Sequence, residues 1–184
     1  MKFFFFPSVA MALLIFSFGA SAQCANSATP SCGVYESCFA KLCNCKNTPG
    51  EYFISYGKRY CETFLNLPGL SDRGTIWRNS TLRCLQETIV PILPVDGKAE
   101  TCDCPSIQIA AFDAHVACYT APGKSICNLP GSDWVLVLNA VGPVASLKDS
   151  KSRKQLLEVA KICLPIVASD AKEYVRRIIQ VLQK

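Results

Sequence analysis

The chain carries a single imidazole, His115, within Asp113-Ala114-His115-Val116-Ala117-Cys118-Tyr119. Any serine–histidine–acid relay must therefore use His115, and no Gly-x-Ser-x-Gly elbow is present to hold the serine. Asp and Glu are scattered without clustering, so no carboxylate pair is marked out for general acid–base work, and glycine-rich phosphate loops and EF-hand acidic clusters are absent. A lone histidine on a half-apolar helix reads as a packed or surface residue rather than a catalyst. No catalytic residue, metal ligand or cofactor is expected. The other reactive groups are twelve cysteines. Cys43-Asn44-Cys45 and Cys102-Asp103-Cys104 are spaced too closely for structural zinc, which favours two or more residues between ligands and a reducing compartment. Disulfides are the reading for all twelve, an even number.

That reading agrees with the start of the chain. Met1-Lys2, an apolar run from Phe3 to Phe18 and then Ala20-Ser21-Ala22 have the order of a secretory signal peptide over residues 1–22. Residues 23–184 are then expected to form one cysteine-rich helical domain that is secreted. Gln23 before Cys24 speaks against a lipoprotein signal, and no later apolar run is long enough to span a bilayer, so no stable membrane anchor is expected. Loss of Lys2 lowers the formal net charge by one from +5. Arg73, Arg78 and Arg83 on one helix, and Lys172, Arg176 and Arg177 on another, are spread out as solvated faces, which speaks against nucleic acid as a partner.

The elements that must position these groups follow from apolar spacing. Val34, Tyr35, Cys38, Phe39 and Leu42 predict a helix over 31–42. Phe53, Tyr56, Tyr60, Cys61 and Phe64 predict a second over 51–65, where Gly57 needs close packing or a kink to offset about 1 kcal/mol of lost propensity. Ser71 reads as the cap of a third helix that lasts until Pro91. Inside it, Asn79-Ser80-Thr81 is the only allowed glycosylation sequon and predicts a glycan at a water-facing Asn79. Pro105 reads as the first residue of a fourth helix with Ile107, Ala111, Ala114 and Cys118 on one stripe. Residues 134–141 are apolar throughout, which leaves helix and buried strand open. Leu156, Leu157, Ala160, Cys163 and Leu164 predict a helix over 150–164. Val175, Ile178, Ile179 and Leu182 predict the last, with Asp170-x-x-Glu173 as its capping pair. The fold class is all-α, about six to seven short helices cross-linked by disulfides.

Two families are approached by these motifs. His115-x-x-Cys118-Tyr119 on a helix resembles part of the active-site helix of secreted phospholipase A2, but Val116 stands where that family has its calcium-binding aspartate, and the glycine-rich calcium loop is absent. Hydrolysis of that kind is the weaker alternative. The cysteine order, clearest from Cys61-Glu62-Thr63-Phe64 through Leu82-Arg83-Cys84 to Cys104, Cys118-Tyr119 and Cys127, resembles the stanniocalcins, secreted all-helical glycoprotein hormones. The resemblance implies bridges Cys24 to Cys38, Cys32 to Cys61, Cys84 to Cys118 and Cys127 to Cys163. It also implies a bridge from Cys43 or Cys45 to Cys102 or Cys104, with a parallel sixth from the two cysteines that remain. It implies a hormone-like factor that binds an extracellular receptor or protease, in calcium and phosphate homeostasis or in metalloprotease inhibition. The family's extra cysteine after the last helix is missing, so no covalent dimer is expected. A helical carrier of lipid or sterol is the alternative from another class.

Overall fold

The computed structural model describes residue 24 and residues 30–94, 102–142 and 150–183. The signal peptide expected over 1–22 lies outside the described residues. Seven helices and no strand are present among them. Helix α1 covers residues 35–42, α2 residues 53–65, α3 Asp72–Glu87, α4 Cys104–Tyr119, α5 Gly131–Val141, α6 Ser150–Cys163 and α7 Ser169–Leu182. None is long and apolar enough to cross a membrane.

Local chemistry accounts for most of the boundaries. Ser71 Oγ accepts from the Gly74 amide at 3.1 Å, so one of the orphan donors at the start of α3 is satisfied. The third helix ends at Glu87, short of Pro91, and the chain continues into a 3-10 turn over Val90–Ile92. Asp103 caps α4 by accepting from the Ser106 amide at 3.1 Å, with Pro105 in the first turn, where its missing N–H removes no bond. Residues 134–141 are helical. Trp134, Val137 and Leu138 are buried while Val135 is exposed, the period of a helix and not of a strand. The capping pair expected at Asp170 is not formed. The cap of α7 is Ala168 without a side-chain bond, and Asp170 Oδ2 instead accepts from the Gly131 amide at 2.9 Å, tying α7 to the start of α5.

The two helices nearest the N-terminus open with π-wound turns, Tyr35–Phe39 in α1 and Phe53–Lys58 in α2. In the second, the Gly57 amide reaches the Tyr52 carbonyl at 2.7 Å, five residues back. The two turns pack on each other. Helix α4 is central, packed between α3 and α6, while α6 also meets α7, and α5 lies against α2 and α7.

Six disulfides cross-link this array: Cys24–Cys38, Cys32–Cys61, Cys43–Cys102, Cys45–Cys104, Cys84–Cys118 and Cys127–Cys163. The choice left open between the two Cys-x-Cys pairs is taken in parallel, so the loop after α1 is held to the start of α4 by two adjacent bonds. No cysteine is free. A cross-linked framework of this kind belongs to an oxidising compartment.

Candidate functional site

Four helices bring aromatic side chains to one place. Helix α1 contributes Tyr35, and the stretch that opens and forms α2 contributes Tyr52, Tyr56 and Tyr60 at successive intervals of four. Helix α3 contributes Trp77 and Arg78, and α4 His115 and Tyr119. Together they line a cavity of about 30 Å³. That is room for one or two water molecules. Five of the six tyrosines in the sequence line it.

Gly57 makes the arrangement possible. The Tyr35 ring lies so close to its backbone that an added Cβ would stand 2.5 Å from Tyr35 Cε1 and 2.8 Å from Cδ1. The propensity lost at Gly57 is thus offset by helix contact, and the turn around it is π-wound. Gly57→Ala is expected to destabilise by about 1–3 kcal/mol, the range for overpacking, and to displace the Tyr35 ring. Denaturant unfolding together with the near-ultraviolet tyrosine signal measures both; an unchanged midpoint would remove this account of the glycine.

His115 is buried at 3% exposure. Its Nδ1 lies 2.6 Å from the Ala111 carbonyl oxygen, which only accepts, so Nδ1 carries the hydrogen and Nε2 is left with a lone pair. Phe112 stacks on the ring at 5.6 Å, and Tyr119 meets it edge-on at 5.5 Å. Burial pushes the imidazole pKa down to about 4, against the opposing effect of the carbonyl contacts at Ala111 and Phe112. The ring is therefore neutral at physiological pH. Asp113, two residues before it, is exposed, and no described acid pairs with the ring. Of the packed and surface placements the sequence leaves open, the structure takes the packed one.

The tyrosines differ in their bonding. Tyr56 Oη is 3.3 Å from Ser152 Oγ, and Trp77 Nε1 donates to the Tyr119 carbonyl at 3.1 Å. Among the described residues, the hydroxyls of Tyr35 and Tyr52, each 2% exposed, make no hydrogen bond. Among the described residues the one side-chain nitrogen or oxygen sealed from all open space without a partner is Trp134 Nε1. Both side chains line the cavity. Burial pushes both phenols above their ordinary pKa, and for Tyr52 the neighbouring phenols of Tyr35, Tyr56 and Tyr119 add to the rise. They remain protonated donors.

The sequon lies at the edge of this site. Asn79 is half-buried on α3, and its Oδ1 accepts from Arg78 Nε at 3.0 Å. Thr81 of the same sequon faces inward at 3% exposure. Of the bridged cysteines, Cys61 stands in the cavity wall. No group of three or more His, Cys, Asp or Glu able to hold a metal occurs among the described residues. The spacing in the sequence places Tyr35, Tyr56 and Tyr60 on helix faces without bringing them together, Tyr52 is not marked out by it, and Arg78, expected on a solvated face, is partly buried in the cavity lining. The available signal was the interval of four linking Tyr52, Tyr56 and Tyr60. Comparison with protein-family models, curated proteins and solved structures finds no significant match to this chain.

Proposed function

We propose that the protein is a secreted, non-enzymatic, hormone-like glycoprotein of stanniocalcin type that acts by binding an extracellular receptor or protease. The observation that carries this reading is the disulfide graph. Cys24–Cys38, Cys32–Cys61, Cys84–Cys118 and Cys127–Cys163, with the doubled link between the two Cys-x-Cys pairs, form the connectivity that the resemblance implies. A bundle held by six bridges presents a preorganised surface, which loses less entropy on association than a flexible one. The interior adds to this. His115, without an acid partner among the described residues and beside a cavity of about 30 Å³, has little room for a hydrolase substrate next to it. The same volume is far below what a lipid chain fills, so this cavity favours neither alternative.

The test is to titrate the secreted protein, unreduced, into a pappalysin-type metalloprotease assay and onto intact cells. Saturable inhibition or saturable cell-surface binding, lost on reduction, is expected. Neither effect at micromolar protein would overturn the reading. Intact mass of the same sample is expected to show a chain lacking residues 1–22, no free thiol and one enzymatically removable glycan at Asn79. A mass retaining residues 1–22, or an unmodified Asn79, would break the secretory part of the proposal.

A further inference from the structure

The sequon Asn79-Ser80-Thr81 falls in the middle of α3, a helix of 16 residues. A sequon is defined by the hydroxyl at its third position, so the transferring enzyme must reach the Asn79 amide and the Thr81 hydroxyl together. Residues two apart on a helix do not share a face. In the folded protein Thr81 is 3% exposed, and its Oγ1 donates to the Cys118 carbonyl of α4 at 3.4 Å. Folding therefore hides one half of the recognition signal. The modified product fits nonetheless. Asn79 is half-buried, its Oδ1 accepts from Arg78 Nε at 3.0 Å, and Nδ2, the atom that takes the sugar, makes no hydrogen bond among the described residues.

Helix α3 depends on α4 to persist. Gly74, Thr75, Asn79, Ser80 and Thr81 are weak helix formers, and a lone helix of this length is marginal in water. Three links fasten α3 to the last two residues of α4: the Cys84–Cys118 bridge, Thr81 Oγ1 on the Cys118 carbonyl, and Trp77 Nε1 on the Tyr119 carbonyl. Those residues are made roughly 40 positions after Asn79, about 2–8 s later at ordinary rates of synthesis. Until they arrive and the bridge closes, the sequon is free to leave the helical conformation.

We propose that Asn79 is a modification site open only in the unfinished fold: the glycan is added before α4 docks on α3, and closure of Cys84–Cys118 shuts the site. In the transfer, Asn79 Nδ2 forms a bond to the anomeric carbon of an oligosaccharide carried on a polyprenyl diphosphate. The bond from that carbon to the diphosphate breaks, the lipid diphosphate leaves, and the amide proton passes to a base of the enzyme. This timing presupposes the secretory glycosylation of Asn79 proposed above and adds that disulfide closure governs it.

The experiment translates the full chain into microsomes, which hold the enzyme and its lipid-linked donor, with an excess of a blocked sequon tripeptide. The competitor keeps the chains bare while they fold and is then washed out. During the chase, natural chains held reduced by dithiothreitol, and the Cys84→Ser/Cys118→Ser variant, are expected to acquire a glycosidase-sensitive glycan at least about tenfold faster than the oxidised natural chain, because docked α3 shows its sequon only through opening of the native state. Equal rates for the oxidised and reduced natural chains would overturn the proposal. So would a reduced chain that stays bare in the chase, since the site would then shut with synthesis and not with folding. A variant that stays bare while the reduced natural chain is modified would overturn the role given to Cys84–Cys118. Chains that are never glycosylated, even without competitor, would instead overturn the reading of the sequon itself, and the timing with it. The readout counts modified chains, so it does not require the variant to fold.

Discussion

Trp134→Ala is expected to lower the free energy of unfolding by about 3–5 kcal/mol, the range for truncating a buried indole, and Trp134→Phe by less than half as much. Trp134 is 0% exposed and sits on α5, which lies against α2 and α7. Its Nε1 has no hydrogen-bond partner. The indole is thus held for its apolar bulk, and its buried N–H opposes folding by about 1–3 kcal/mol. Phenylalanine keeps most of the ring contacts and removes that N–H, so two opposing effects partly offset. Alanine removes the contacts and leaves a void between three helices. Denaturant midpoints of both variants, taken with the disulfides intact, decide the matter. Equal losses would mean that the second ring of the indole, and not bulk alone, is what α5 needs.

Acidification from pH 7 to 4 is expected to remove roughly 3 kcal/mol of stability through His115 alone. The folded protein holds this imidazole neutral down to about pH 4, whereas in the unfolded chain it titrates near 6.5. Between those values the unfolded state binds more protons, so stability rises with pH across the window. The contribution is whole above pH 6.5 and is lost as pH falls toward 4. A difference of that size in pKa corresponds to roughly 3 kcal/mol at 1.36 kcal/mol per unit. His115→Gln, which cannot ionise, is expected to flatten the slope between pH 6.5 and 4 whatever it does to stability at pH 7. Carboxylates that titrate in the same range contribute equally to both proteins and cancel in the comparison. A parallel pH dependence for the variant and the natural protein would show that His115 is protonated in the folded state.

The secondary structure was legible in the sequence because its causes are local. Helical spacing of Phe53, Tyr56, Tyr60 and Phe64, the cap at Ser71 and the proline in the first turn of α4 each act within a few residues, and each is found. Where a competing partner is remote, local reasoning failed. Asp170 has the spacing of a capping residue, yet it bonds the Gly131 amide, brought to it by packing of α5 on α7. Whether 134–141 is helix or strand also waited on packing, since a continuous apolar run satisfies either until one face is buried.

An even number of cysteines, behind a leader that reads as secretory, pointed by itself to paired thiols; it could not choose the partners, because bridge geometry depends on where distant helices lie. The cavity is the extreme case. Tyr35, Tyr52, Arg78 and His115 come from four separate segments and share no pattern along the chain. They meet because Gly57 lets α1 lie flat on α2 and the Cys84–Cys118 bridge holds α3 to α4. The residue types were set by the sequence, but the site exists only through contacts between segments far apart in it, and no periodicity encodes those.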